Sequence, residues 1–134
     1  MSRQRIIGTT PEALRVEEQK LGFALPTQYA QWLLQNNGRA LDSVELLQVL
    51  DSRDPRKTWN SIARHYHEAW HEWRDVHDAH DLSDLLPIAQ CGDGDVWCLR
   101  RSDDAVVRWS HETGEHDVVA ADFNRFVQWL EGDT

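Results

Sequence analysis

The hydrophobic positions change their spacing along the chain, which predicts helices first and strands later. Residues 10–38, and again residues 58–76, repeat apolar side chains every three or four positions, the spacing of one helix face. After Pro87 apolar and polar side chains alternate, as in half-buried strands, and the last apolar residues return to helical spacing. This order, helices followed by several antiparallel strands and a closing helix, predicts the α+β class.

Local signals predict the ends of the first two helices. Thr9 or Thr10 supplies a capping hydroxyl just before Pro11, a residue that the first helical turn tolerates. Gly22 is expected to end this helix in the left-handed conformation. Residues 25–38 predict a second helix that begins at a Leu-Pro pair and stops at Asn-Asn-Gly.

The middle of the chain contains one ambiguous segment and one strongly periodic segment. Residues 44–50 are a mostly apolar run whose length fits a strand or a short helix. The periodic segment, from about residue 58, predicts one unbroken helix. Its apolar face comprises Trp59, Ile62, Tyr66, Ala69, Trp70, Trp73 and Val76.

The C-terminal third predicts strands joined by tight turns. Asp93-Gly94 is a strong hairpin signal, and a two-residue turn there would pair Cys91 with Val96. Strands are predicted over residues 96–100, 105–110 and 117–120. Asp122 is expected to cap a closing helix whose apolar face holds Phe123, Phe126, Val127 and Leu130.

Length and cysteine content favour a single domain with reduced thiols. The 134 residues are 40% hydrophobic, which suits one domain spanning residues 1–134. Cys91 and Cys98 are too few for a disulfide framework, and no second pair completes a zinc site. No apolar run approaches the roughly 18 residues of a membrane span, and the N-terminus lacks the apolar core of a signal peptide. We therefore expect a cytoplasmic protein with no membrane partner.

The charge is acidic and unevenly distributed. The net charge is −9; residues 1–65 carry nine basic and seven acidic side chains, whereas residues 66–134 carry five and sixteen. An acidic half repels phosphate, so direct nucleic-acid binding is not expected. It attracts a basic protein partner and speeds the encounter. The alternative is that the charge serves only solubility.

One segment matches a metal-binding signature. His67, Glu68 and His71 reproduce the H-E-x-x-H spacing, in which two imidazoles one helical turn apart share zinc and the glutamate activates water. His77 falls where a longer form places a third histidine, but Arg74 replaces the glycine that lets the chain turn. On an unbroken helix His77 points away from the other two. We interpret the segment as a solvated helix flank, with a small zinc-dependent hydrolase as the alternative function.

No other residues suggest a catalytic set. His111 and His116 bracket a turn rich in carboxylates, which we interpret as a polar hairpin loop. Asp93 and Asp95 flank Gly94 and fit the backbone angles of a turn. We therefore predict no catalytic residues, no bound metal and no cofactor.

Several motifs, in order, resemble one known family. They are residues 16–22 and 25–38, Leu-Pro-Ile-Ala at 86–89, Gly-Asp at 94–95, residues 107–112 and the closing helix at 123–130. Together they cover about residues 10–131 and resemble the SUKH superfamily, which includes the fungal Smi/Knr cell-wall regulators and many bacterial immunity proteins. The resemblance implies an α+β fold with helices flanking an antiparallel sheet, no enzymatic activity and binding of a cognate toxin domain.

The acidic half is the expected toxin-facing surface. Its candidate residues are Asp93, Asp95, Asp103 and Asp104 in the hairpin region, with Glu68, Glu72 and Asp75 on the long helix. Trp70, Trp97 and Trp109 are candidates for partly exposed aromatic residues, and Trp97 and Trp109 are the two proposed to control dissociation of the partner. The other tryptophans are assigned to the core: Trp32, Trp59, Trp73 and Trp129. The alternative interface lies on the N-terminal helices.

Overall fold

A computed structural model describes residues 8–39, 44, 46–51, 53, 61–77, 82–91 and 93–132. Its helices are α1 (Pro11–Leu21), α2 (Thr27–Asn36), α3 (Ile62–His67), α4 (Ala69–Val76) and α5 (Phe123–Leu130). Its strands are β1 (Leu85–Gln90), β2 (Val96–Arg100), β3 (Val106–Trp109) and β4 (His116–Ala120). The strands form an antiparallel sheet in the order β1-β2-β3-β4, which confirms the α+β class. No helix in these ranges is long and apolar enough to span a membrane.

The caps predicted for the first and last helices are confirmed. The Thr10 hydroxyl accepts a hydrogen bond from the backbone N–H of Ala13 at 3.1 Å. Gly22 ends α1 at a φ of 91°, the left-handed conformation that glycine adopts without strain. The Asp122 carboxylate caps α5 through the N–H of Arg125 at 2.9 Å. These ends form as predicted because each cap bonds within its own helical turn.

The predicted long helix is broken into two shorter helices. Glu68 has φ −106° and ψ −84°, so α3 stops before it and α4 begins after it. The Glu68 N–H still bonds to the Arg64 carbonyl at 3.0 Å, and apolar spacing continues across the break. The prediction of one unbroken helix is therefore wrong. The hydrophobic pattern did not reveal the break because a single non-helical residue does not change the apolar spacing. The start predicted near residue 58 lies outside the described residues.

The β1–β2 hairpin has a longer loop than predicted. Gln90 lies opposite Val96, and the Cys91 N–H donates to the Asp95 carbonyl at 2.8 Å. The predicted pairing of Cys91 with Val96 is therefore wrong by one residue. Gly94, at a φ of 98°, closes a three-residue loop, in which one residue commonly adopts the left-handed conformation.

Both cysteines are free thiols, as expected. Burial raises the pKa of Cys91 to about 11 and that of the fully buried Cys98 well above its ordinary value. Both thiols are therefore protonated at neutral pH, and Cys98 packs as a small apolar side chain.

Helices cover both faces of the sheet. Trp109 lies opposite Val96, so these two share a face, and Trp97 points to the other face because successive strand residues alternate. On the first face the ring of Trp70, in α4, lies 4.9 Å from the ring of Trp109. On the second face Phe126, in α5, lies 5.2 Å from Trp97. The core therefore extends through the sheet from α4 to α5.

Residues 46–51 cross the interior with only isolated strand-like pairings. Leu46 bridges to Ala89, and the Ile62 N–H donates to the Gln48 carbonyl at 2.8 Å. Of the two structures predicted here, the extended one is therefore closer to the finding. Because this segment forms no regular ladder, most of its backbone groups need other partners.

Side chains of the region around α2 supply two of those partners. The Tyr29 hydroxyl donates to the Leu47 carbonyl at 2.8 Å. Burial, reinforced by the nearby Glu17 carboxylate, raises the pKa of Tyr29 well above its ordinary value, so the hydroxyl keeps its proton. The Asn37 amide accepts from the N–H of Val49 at 2.8 Å and donates to its carbonyl at 3.1 Å. Asn37 thus replaces a neighbouring strand for one residue.

The Glu17 side chain of α1 supplies a further link. Glu17 is 1% exposed. One of its oxygens accepts from the Leu50 N–H at 3.2 Å and the other from the Ala63 N–H at 2.6 Å. Ala63 occupies the first turn of α3, whose N–H groups lack intrahelical partners. A single carboxylate therefore holds α1, the extended segment and the start of α3 together.

We expect Glu17→Gln to lower the free energy of unfolding by about 1–3 kcal/mol, because the amide nitrogen would face an N–H group and leave it unsatisfied. Glu12→Gln is the matched control, since Glu12 is exposed on the same helix. Urea unfolding followed by circular dichroism measures both variants. Equal stability of the two variants would contradict the role assigned to Glu17.

The stability should also depend on the protonation of His65. This residue of α3 is buried, and burial lowers its pKa below the ordinary value of 6.5. The unfolded chain binds this proton more readily than the folded protein. The contribution of neutral His65 to the free energy of unfolding is therefore present above pH 6.5 and is lost as the pH falls below 6.5. We expect His65→Leu to flatten the decline of the unfolding free energy between about pH 7.5 and about pH 5.5, by up to about 1.4 kcal/mol per pH unit.

The control for this experiment is His71→Gln, which replaces an exposed histidine and shows how far the slope depends on a histidine that is not buried. Urea titrations at each pH give the slopes. An unchanged slope in His65→Leu would show that other groups cause the acid sensitivity.

Candidate partner-binding surface

Three segments meet at one end of the sheet: the β1–β2 loop, the β3–β4 loop and the end of α4. His111 connects them, because its Nδ1 lies 2.7 Å from a carboxylate oxygen of Asp95 and its carbonyl oxygen lies 2.7 Å from Nε2 of His77. Its ring also contacts that of Trp73 at 5.8 Å. We call this region the hairpin end and define it as residues 72–77, 93–95 and 108–117.

Asp95 is the centre of the polar contacts at the hairpin end. The carboxylate oxygen that meets the His111 ring also accepts from the backbone N–H of His111 at 3.2 Å, and the other oxygen accepts from the Arg108 guanidinium at 3.1 Å. Arg108 pairs in addition with Asp93. Burial acts to raise the pKa of Asp95, but the hydrogen bonds from His111 and Arg108 outweigh it and hold the pKa below its ordinary value. Asp95 is therefore ionised at neutral pH and fixes both loops.

An aromatic cluster lies beneath these loops. Trp109 is fully buried, and its indole N–H donates to the Gly114 carbonyl at 3.1 Å. The rings of Trp70, Trp73 and His77 lie 4.9, 5.5 and 5.3 Å from that of Trp109. The β3–β4 loop therefore rests on a rigid support.

The hairpin end is strongly negative. It carries seven carboxylates against two arginines. Arg108 neutralises part of the charge of Asp93 and Asp95. Four exposed carboxylates form no ion pair with any residue that the structure describes: Glu72, Glu112, Glu115 and Asp117.

The structure divides the predicted acidic surface. Four of its seven residues belong to the hairpin end: Glu72, Asp75, Asp93 and Asp95. Asp103 and Asp104 instead occupy the β2–β3 loop, at the opposite end of β2. Asp103 pairs with Arg100 at 2.6 Å, and this guanidinium lowers the pKa of Asp103 to about 2. The predicted residues thus lie at the two ends of β2, and the Arg100 guanidinium that pairs with Asp103 also lies 3.4 Å from the ring of His116 at the hairpin end.

The residues of the H-E-x-x-H motif meet different partners. Nε2 of His67 lies 2.6 Å from the carbonyl of Lys20 in α1, whereas the ring of His71 lies 3.8 Å from Asp75. Glu68 forms the break between the helices. Within the described ranges no three His, Cys, Asp or Glu side chains come together to hold a metal ion. The zinc-hydrolase alternative therefore gains no support from the geometry.

The exposure of the tryptophans differs from several predictions. Trp70 and Trp109 are fully buried and Trp97 is 9% exposed, so their assignment as partly exposed side chains is wrong. Helices cover both faces of the sheet, which the strand pattern alone did not reveal. Trp129, assigned to the core, is 56% exposed and rests against Trp97 at 6.1 Å. Trp59 lies outside the described residues. Two tryptophans assigned to the core are partly buried against it: Trp32 and Trp73.

Sequence reasoning missed the connection that organises the site. His77 and His111 are 34 positions apart, and His111 and Asp95 are 16 apart. No local pattern relates residues at these separations. The carboxylate-rich turn around His111 was the one available signal, and it indicated only a polar loop.

Loss of the Asp95 charge should loosen both loops. We expect Asp95→Asn to reduce the free energy of unfolding by about 1–2 kcal/mol, allowing for its partial solvent exposure. It should also speed amide hydrogen exchange in residues 110–114. The matched control is Asp104→Asn, an exposed site with φ 62° that asparagine tolerates. Unchanged exchange in Asp95→Asn would show that the loops are fixed by the aromatic cluster alone.

The fold defines the class of protein. It is an α+β unit with helices on both faces of a four-stranded antiparallel sheet and with acidic loops at one end of that sheet. The chain belongs to the SMI1 / KNR4 family (SUKH-1), which it matches over residues 8–129. The resemblance inferred from the motifs is thereby confirmed.

One solved structure supports the fold independently. It is a protein from Pseudomonas syringae pv. tomato that is 24% identical to this chain, with a TM-score of 0.58. The similarity covers 87% of this chain and 80% of that protein. At this identity the likeness concerns the fold alone. No curated protein matches the chain.

Proposed function

We propose that this protein is a non-catalytic immunity protein that binds a cognate bacterial toxin domain in the cytoplasm and neutralises it. The observation that carries the proposal is the acidic hairpin end, a rigid and exposed surface in a member of the SUKH-1 family. The family supplies the class of partner, and the charge supplies its chemistry. The partner presents a basic surface to the hairpin end.

Rigidity supports this role. Both loops of the hairpin end are fixed by Asp95 and His111 and rest on Trp109. Loops held in this way lose little conformational freedom on binding, so more of the contact energy contributes to affinity. Such loops on a rigid sheet are where proteins usually place binding residues.

The charge determines how the partner is met. Exposed carboxylates such as Glu112 and Glu115 attract a basic surface and raise the association rate. Their effect weakens as salt screens it. The polar residues at the centre of the site, Asp95, His111 and Arg108, satisfy one another, which favours a binding surface over a reacting one.

Trp129 replaces the buried tryptophans as the proposed aromatic anchor. It lies against Trp97, which is opposite Arg108 in the neighbouring strand, and Arg108 is opposite Asp117 in the next. Directly opposite residues share a sheet face, so Trp97, Arg108 and Asp117 form one row across the sheet. Trp129 packs at one end of this row, and the exposed carboxylate of Asp117 lies at the other end. Exposed tryptophan on rigid support is typical of interface hot spots.

The test uses the toxin domain that we expect to be encoded beside this gene. Co-expression of the protein should rescue growth of cells that make this toxin, and the purified pair should associate. We expect Glu112→Lys/Glu115→Lys to slow association at least about tenfold at low salt with little change in folding, because rim charges act mainly on association. Surface plasmon resonance over a range of salt measures the rate, and circular dichroism measures folding.

Asp103→Lys/Asp104→Lys provides the comparison, since it reverses two charges in the β2–β3 loop, the second candidate surface. If this variant alone slows association, the toxin contacts the opposite end of the sheet. If neither variant changes the rate, the interface lies elsewhere, as on the N-terminal helices. Failure of the wild-type protein to rescue growth or to bind would reject the proposed function.

A further inference from the structure

The β4 strand forms an exposed edge of the sheet. At the other edge β1 is partly covered, because Leu46 bridges to Ala89. No described residue pairs with the outer side of β4. Two of its apolar side chains are open to solvent, Val118 at 54% and Val119 at 36% exposure. An edge strand with exposed apolar side chains is a template for pairing with another chain.

The register identifies which backbone groups of β4 are available. The Ser110 N–H donates to the Glu115 carbonyl at 2.8 Å, so these two form a hydrogen-bonded pair. Hydrogen-bonded and non-hydrogen-bonded pairs alternate along an antiparallel ladder. Asp117 is therefore bonded to β3, whereas His116 and Val118 direct their N–H and carbonyl groups away from it.

A register shift limits the length of this free edge. The pairing of β3 with β4 shifts between Val106 and Val107, which places an extra residue, Val119, in β4. A bulge bends the strand and interrupts regular pairing. The regular free edge thus covers His116 to Val118, about 10 Å of strand.

Charge indicates what kind of segment this edge accepts. Glu115 and Asp117 are exposed beside it, and Glu112 lies in the preceding loop. A second copy of this chain would bring the same carboxylates against them, and each copy has a net charge of −9. A segment with basic side chains would instead complement them.

We propose that the edge of β4 accepts an extended, basic segment of the partner protein as a fifth strand of the sheet. The N–H and carbonyl groups of His116 and Val118 would bond to the segment, and Val118 would contact its apolar side chain, as in other recognition by strand addition. This inference rests on the proposed function and specifies how the same acidic end of the sheet holds the toxin.

The first test removes one outward N–H group. Val118→Pro deletes a donor that does not bond to β3, and proline is tolerated in an edge strand at such a position. Val118→Ala is the matched control, since it loses the side chain but keeps the N–H. With the toxin domain as the probe, we expect the Kd of Val118→Pro to rise at least about tenfold and that of Val118→Ala less than about threefold.

The second test uses the wild-type protein and does not depend on any variant folding. In amide hydrogen exchange, the His116 and Val118 N–H groups should exchange rapidly in the free protein and become protected in the toxin complex. The Asp117 N–H should be protected in both states, because it already bonds to β3.

Three results would overturn the inference. One is a wild-type complex in which the His116 and Val118 amides stay unprotected. Another is a folded Val118→Pro variant that binds the toxin with unchanged affinity. The third is a wild-type dimer, detected by light scattering, that Val118→Pro converts to monomer with no loss of toxin affinity, since the edge would then belong to a second copy. If the wild-type protein does not bind the toxin at all, the proposed function itself fails.

Discussion

The buried carboxylate of Glu17 is the contact on which the arrangement of the helices depends. Its two oxygens accept hydrogen bonds from the N–H groups of Leu50 and Ala63. The carboxylate thereby joins α1 to the extended segment and to the start of α3. A buried charge costs several kcal/mol in lost solvation unless hydrogen bonds replace the water. Both oxygens of Glu17 have such bonds, so a shift of α3 by one residue would leave the charge and an N–H group unsatisfied. The carboxylate therefore fixes the register of the helix as well as its contact.

The position of α3 in turn determines the geometry of the distant hairpin end. Helix α4 follows α3 after one residue, and its Trp70 packs against Trp109 in the sheet. The end of α4 then brings His77 to His111, which Asp95 holds from the neighbouring loop. The acidic surface thus obtains its rigidity from helix packing and buried aromatic rings together with the contacts between Asp95 and His111. This is how a loop-built surface can bind without a large loss of conformational freedom.

Much of the fold could be predicted because its signals are local. The caps at Thr10, Gly22 and Asp122 depend on hydrogen bonds within a few residues, and alternation located the strands of the C-terminal third. The break at Glu68 could not be predicted, since the apolar spacing continues through it. The segment at 44–50 was ambiguous for a related reason: several of its partners are side chains from other parts of the chain, which no periodicity records.

The sequence by itself determined the acidic character of the second half, the α+β class and the membership of the SUKH-1 family. Only the tertiary structure decided which carboxylates share a surface, because Asp95 and Asp103 lie at opposite ends of the same strand. It also decided that Trp109 is buried and Trp129 exposed. The physical reason is the same in each case. Composition and spacing determine the chemical character of a side chain and the face of its helix or strand on which it lies. Its burial and its neighbours depend on what packs against that element from elsewhere in the chain.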